Sequence, residues 1–371
     1  MCAPSEQRER RRMHEMSRFE QPPPGADDPG CWMIKKYRRP AAGRVDIQVK
    51  ELRPPSTLRN VLQHLCVNVL PWKACGFDDL ACTDSTAHDF LALYHFISDR
   101  FRSVRQDFTI QRARDATLVA ALETIARFHI LAAARAFQLV PHTDQEWSDT
   151  LNDQQLASAL SQLRALYKID PTLAANEGEF VAYDVLLHLH DPNAVSLLLL
   201  NAKKTRAKQS EQMKRALVVF VAFQTQDFHR FFRVFSQMTI FEKLLLLRHL
   251  PSVWTSTLSL INKAFGKIDK FQLAELAQWT HLNDIEHVDM LCTSLNVHVE
   301  RPTDAWDDQD SSKPTESAYF AKFKVNPLKE DIEKLIQRKL IVHVAAIVFT
   351  GTSVAGMTSP YLVMHGVNAT S

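Results

Sequence analysis

Six cations crowd the stretch NAKKTRAKQSEQMKR at 201–215: Lys203, Lys204, Arg206, Lys208, Lys214 and Arg215. Cations at this density can grip a phosphate backbone, and they also occur in solvated loops between helices; here the two uses weigh equally. A second set, Lys322, Lys324, Lys329, Lys334, Arg338 and Lys339, lies in and beyond an alternating segment near the end of the chain. Wings and their flanks reach nucleic-acid backbone, so position favours contact there. The nucleic-acid candidates are therefore Lys203, Lys204, Arg206, Lys208, Lys322, Lys324, Arg338 and Lys339. A third set lies in FRSVRQDFTIQRARD at 101–115 and just before it. At about 100° per residue, Arg102 falls opposite the apolar stripe, a turn from Asp99, while Arg100 and Arg105 fall on opposite flanks. A row that grips phosphates would be aligned. Ion pairs that are solvated or that pin a neighbouring helix thus outweigh an RNA contact. Arg105, at the edge of the stripe, is expected to have a fixed partner, since its planar fork suits a carboxylate or helix-end carbonyls. KKYRR at 35–39 is basic with one aromatic residue, and packing along the helices as a linker outweighs contact with RNA.

Other reactive residue types lack the spacing that chemistry needs. His188 and His190 fall on different helix faces with no third ligand nearby, which argues against a metal. His281, His287 and His298 fall on separate predicted elements. Phosphate-loop, nucleophile-elbow, HExxH and EF-hand patterns are all missing. The six cysteines form no CxxC pair and follow no secretory signal, as expected of reduced thiols in a cytosolic or nuclear protein. The apolar run IVHVAAIVF at 341–349 is too short to cross a bilayer. A net charge of +2 creates no global field, so any basic surface must be local. The expectation is a non-catalytic protein without cofactor, metal, membrane or small-molecule substrate.

The elements that position these residues read as helices. Only 9 glycines in 371 residues disfavour hairpin-rich sheets and glycine-rich loops. Prolines and charges make residues 1–55 an expected extended segment. Leu58, Leu62, Leu65 and Val69 then recur at helical spacing. A long helix is predicted from about Thr86, with Phe90, Tyr94, Ile97, Phe101, Val104 and Phe108 on one face. The segment 116–137 is apolar on nearly every side, as in a helix buried between neighbours. Leu156, Leu160, Leu163 and Tyr167 mark another helix, and several short helical stretches follow to about residue 255. Together they predict a helical-repeat body, an α-solenoid, over 56–255.

After Gly266 the pattern becomes helix, helix, strand (NVHVE), acidic loop and strand (AYFAKFKV), with RKLIVHV as a possible third strand. That outline predicts a winged helix over 256–350, and residues 351–371 read as a disordered tail. The predicted recognition helix, DIEHVDMLCTSL, has acids and neither lysine nor arginine, so nucleic acid would be held by backbone charge and not by sequence. The fold class is mainly α, a solenoid followed by a winged helix, as in PCI-type scaffolding domains.

Several stretches in order resemble the Sac/GANP family: MCAPSEQRERRR, RPAAG at 39–43, LRPPSTL, RSVRQDFTIQ at 102–111, ARFHI at 126–130, EFVAYDVLLHL at 179–189, FHRFFRVF at 228–235 and RKLIVHVAAIV. Arg39, Pro40, Arg102, Arg105 and Asp107 belong to these motifs. Met1-Cys2-Ala3-Pro4 holds only half of the family's Cys-Pro-Asp-Met-Cys-Pro box. The resemblance implies a scaffold of nuclear messenger RNA export at the pore side of the nuclear envelope. It implies pairing with a PCI-domain subunit and a small acidic subunit, and a joint surface for RNA or DNA backbone. The shorter animal relatives imply the alternative, a centrosome or spindle adaptor in the cytoplasm without nucleic-acid binding.

Overall fold

A computed structural model describes residues 1–21, 32–39, 51–70, 84–140, 147–201, 206–282, 284–301, 319–324 and 326. The chain is mainly helical. Its described residues divide into two compact units, one running to Phe180 and the other beginning at Val181.

In the first unit, α1 (Pro4–Arg12) has proline in its first turn, Glu6 near its start and Arg10, Arg11 and Arg12 at its end. These signs suit the helix dipole. The sequence predicts an extended segment here, and the structure differs. The buried side chains of α1 are Glu6 and Arg10, so its packing face is charged and leaves no apolar periodicity. A 3-10 turn (Arg18–Glu20) follows, and residues 33–39 run without regular structure. α2 (Pro55–His64) starts behind Pro54 and passes into a π-helical turn at Leu65–Val69. Leu58, Leu62, Leu65 and Val69 are all buried, as their spacing predicts.

α3 (Asp84–Ile110) is a single helix of 27 residues. It begins two residues ahead of the predicted Thr86, and all six residues of its expected stripe are buried. α4 (Ala116–Leu139) is capped by Asp115, whose carboxylate accepts from the Leu118 N–H at 3.0 Å. α5 (Asp149–Ile169) is capped by Ser148 in the same way. α4 packs against α2, α3 and α5 and is buried at every position from Ala121 to Ala136. Its length and composition would let it cross a membrane, yet 83% of its apolar window is buried within the protein. Two buried charged groups of α4 are paired. Arg127 makes a two-pronged bond to Glu179 at 2.9 and 3.0 Å, and Glu123 accepts from Tyr167 at 2.7 Å and Asn176 at 2.9 Å.

The chain passes from one unit to the other within α6 (Glu177–Leu187). The second unit continues with α7 (Pro192–Asn201), a 3-10 turn (Arg206–Gln209), α8 (Glu211–Gln224), α9 (Phe228–Ser236), α10 (Ile240–Leu246) and α11 (Leu250–Ala264). α9 shows how strongly spacing decides burial: Phe228, Phe231, Phe232 and Phe235 are buried while His229, Arg230 and Arg233 are exposed. Next come β1 (Lys270–Gln272), α12 (Leu273–Thr280), α13 (Ile285–Ser294), β2 (His298–Glu300) and β3 (Phe320–Lys322). The strands form an antiparallel sheet in the order β1-β3-β2, with Phe271 and Val299 both opposite Ala321. The two predicted strands and α13 lie where the alternation and helical spacing place them. β1 was not legible, because three residues run directly into the helical pattern of α12. The Trp254 indole N–H donates to the Thr280 carbonyl at 3.0 Å and ties α11 to the end of α12. There His281 adopts φ 58°, the left-handed turn that stops the helix. RKLIVHV and the tail after residue 350 lie outside the described residues.

Phe128 on α4 is fully buried and contacts the rings of Tyr94, Phe101 and His129. Replacing it by alanine is expected to cost about 3–5 kcal/mol, read as a lower midpoint in urea unfolding.

Candidate functional site

The N-terminal segment supplies charges that α3 receives. Glu20 has no exposed surface, and its carboxylate accepts from Arg10 Nη1 and Arg100 Nη2, both at 3.1 Å, and from the Ile34 N–H at 3.0 Å. Arg10 Nη2 also bonds its second oxygen. Burial alone would raise the Glu20 carboxyl. The bond from Arg10, the charge of Arg100 and the Ile34 N–H outweigh burial and hold it below its usual range. One side chain thus joins α1, the 3-10 turn, the unstructured run and α3.

Asp107, on α3 itself, is the second buried carboxylate. It accepts from Lys35 Nζ at 2.8 Å and Arg53 Nε at 2.7 Å, and Arg53 Nη2 goes on to Ser103 Oγ at 2.7 Å. Lys35 also donates to the Glu51 carbonyl at 3.0 Å. Arg100, Ser103 and Asp107 are spaced three and four residues apart and are 3%, 0% and 0% exposed. They form a polar stripe beside the apolar one, which residues 33–39 and 51–53 cover. Around these nodes the run is held residue by residue. The Lys36 N–H donates to Glu6, the Tyr37 N–H to Asp99, and the Arg38 carbonyl accepts from Gln106. KKYRR is therefore a linker packed along a helix, as the sequence favours.

The arginines of α3 find separate uses, in keeping with their spread around the helix. Arg100 is buried on Glu20. Arg102 lies over the Tyr37 ring, 4.1 Å from its centre. Arg105 donates to Ser158 Oγ at 2.6 Å and, at 3.4 Å, to Gln155 Oε1 on α5, so its partners are neutral and not the expected carboxylate or carbonyls. Burial, then the charge of Arg102, lowers the proton affinity of Arg105. Arg39 is exposed, and Pro40 lies outside the described residues.

The candidate phosphate contacts do not gather in one place among the described residues. Lys203, Lys204, Arg338 and Lys339 lie outside them; Arg206 and Lys208 have described backbone only, in the 3-10 turn before α8. Next to that turn, Lys214 pairs with Glu211 at 2.6 Å and Arg215 with buried Glu242 at 3.0 Å. Lys322 on β3 stands opposite Lys270 on β1, and both pair with Glu300 on β2, the Lys270 contact at 2.8 Å. Hydrogen bonds from Lys270 and Lys322 hold the Glu300 carboxyl down at about 2, leaving one net positive charge on this face of the sheet. Lys324 donates to the Lys263 carbonyl in the last turn of α11 at 3.2 Å, where a cation suits the helix dipole. Among the described residues no three His, Cys, Asp or Glu side chains converge as a metal site. Cys2 is buried, and burial, then Glu6, pushes its thiol up to about 12, so it behaves as a packing residue.

A family model described as the SAC3/GANP family matches residues 1–301. The chain belongs to that family. The match takes in both buried carboxylates, their cations and the sheet up to β2. Its relatives include SAC3 family protein 1 of Schizosaccharomyces pombe, 26% identical over 362 residues, which covers 92% of this chain and 33% of that protein. Protein xmas of Drosophila melanogaster is 28% identical over 63% of this chain and 11% of its own length. SAC3 family protein B of Arabidopsis thaliana is 23% identical over 76% of this chain and 16% of its own length. This SAC3/GANP chain thus spans a third or less of the curated relatives it matches.

Sequence reasoning did not find Glu20, Arg10, Lys35 or Arg53, whose partners lie 10 to 80 residues away. The available signal was the polar spacing of Arg100, Ser103 and Asp107 on an otherwise apolar face.

Breaking a buried pair strands a charge, so Asp107→Ala and Glu20→Ala are each expected to destabilise by about 3–5 kcal/mol in urea unfolding. A second expectation concerns pH. His129 is 1% exposed and bonded to Asn152 at 2.8 Å; burial holds it down at about 4 from 6.5, against the Asn152 bond. Above pH 6.5 it is neutral folded or unfolded and contributes no slope. As pH falls from 6.5 to about 4 the unfolded chain takes the proton first, which lowers stability by up to about 3 kcal/mol. Unfolding free energies measured across that window should show a shallower slope in His129→Gln.

Proposed function

We propose that this SAC3/GANP chain is a non-catalytic scaffold of nuclear messenger RNA export, acting at the pore side of the nuclear envelope. Its helices would form a solenoid-like body of the PCI type, and α11-β1-α12-α13-β2-β3 a winged helix. The strand order β1-β3-β2 with two helices between β1 and β2 supports that assignment. The family match over residues 1–301 is the observation that carries the functional reading. The winged helix would dock beside that of a PCI-domain subunit, with a small acidic subunit completing the assembly. The pair would hold RNA or DNA through backbone charge.

Local electrostatics fit charge-based binding better than base reading. In α13, Asp284 caps the helix, Glu286 follows it, and Asp289 pairs with Arg301 at 2.8 Å. A helix so acidic would repel a major groove. The positive side of the sheet is Lys270 and Lys322, half-neutralised by Glu300.

Affinity purification of the full chain is expected to recover a PCI-domain subunit and a small acidic one; their absence from a stable complex would contradict the scaffold reading. The purified assembly is expected to bind single-stranded RNA with an affinity that falls at least about tenfold between roughly 50 and 200 mM salt. A flat response would remove the backbone-charge mechanism. Glu300→Gln, which frees both lysines, should tighten that binding a few-fold.

A further inference from the structure

Arg102 and Arg105 stand three residues apart on α3 beside a groove of about 390 Å3, which Tyr37, Gln155, Ser158 and Gln162 also line. Two buried arginines of this unit meet carboxylates: Arg100 meets Glu20, and Arg127 meets Glu179. Arg102 and Arg105 meet none among the described residues. Arg102 rests on an aromatic face, and Arg105 has a hydroxyl and one long amide contact. Two neighbouring guanidinium groups with neutral partners repel one another, and an anion set between them would relieve the repulsion.

We propose that this groove binds an acidic peptide segment of a partner protein, with one carboxylate taken between Arg102 and Arg105. Three features favour a peptide over nucleic acid. The cations are two in a cluster, not a track that follows a backbone. The Tyr37 ring already carries Arg102, which removes the stacking platform that a base would use. The rest of the wall suits a main chain: Gln155 and Gln162 offer amides, Ser158 a hydroxyl, and Ile110, 36% exposed, an apolar contact at the rim. The groove lies wholly in the first unit, so it stands apart from the proposal for the sheet and its lysines.

The test uses the full chain and fluorescence anisotropy of a labelled peptide of alternating glutamate and leucine. A glutamine–leucine peptide and a labelled oligouridine serve as controls. The glutamate peptide is expected to bind saturably, and the glutamine peptide at least about tenfold more weakly. Arg102→Gln should weaken glutamate-peptide binding by about tenfold. Gln162→Glu should do the same by placing a competing carboxylate in the groove; Gln162 is exposed, so this variant keeps the fold. Equal binding by both variants and the parent would overturn the proposal, as would equal binding of the two peptides or no saturable binding. Tighter binding of oligouridine that is lost in Arg102→Gln would overturn it in favour of a nucleic-acid site.

Discussion

A carboxylate closed off from water is tolerated only when cations and N–H groups surround it. Glu20 and Asp107 meet that condition by drawing on segments far apart in the chain. Arg10 comes from α1, Ile34 and Lys35 from an unstructured run, Arg53 from the approach to α2, and Arg100 from α3 itself. If any one segment leaves, an uncompensated charge is stranded, so the segments hold as a set. Residues 1–21 and 32–39 thereby become part of the body. They cover the polar stripe of α3 as α4 covers its apolar one.

This arrangement sets the groove on α3. Covering Arg100 and Asp107 brings Tyr37 onto Arg102 and leaves Arg102 and Arg105 as the cations not neutralised there by a carboxylate. In the second unit the corresponding lysines are handled differently. Lys322 shares Glu300 with Lys270, and Lys324 closes the end of α11. Neither lysine is a bare charge, which is why the strength of any phosphate contact there depends on Glu300.

Apolar periodicity made most of the helical architecture legible. The stripes of α2, α3 and α5 are buried where their spacing puts them, and α4 is buried all round. The sequence was silent where pairing is long-range and polar. α1 packs through Glu6 and Arg10, so it carries no stripe to read. β1 exists through its pairing with β3, fifty residues on, and three residues alone do not alternate enough to show it. RSVRQDFTIQ was legible as a family motif, but the reason for its Asp107 was not. That reason lies in Lys35 and Arg53, which no local pattern connects to it.

Glu20 and Asp107 make the N-terminal segment integral to the first unit. Native-state hydrogen exchange in the parent and in Asp107→Asn tests this most directly. The parent should protect the amides of Ile34, Tyr37 and Arg53, which donate to Glu20, Asp99 and Asp107. In the variant all three should lose protection together while α4 keeps its own. Fast exchange of these amides in the parent, or loss confined to Arg53 in the variant, would contradict the account.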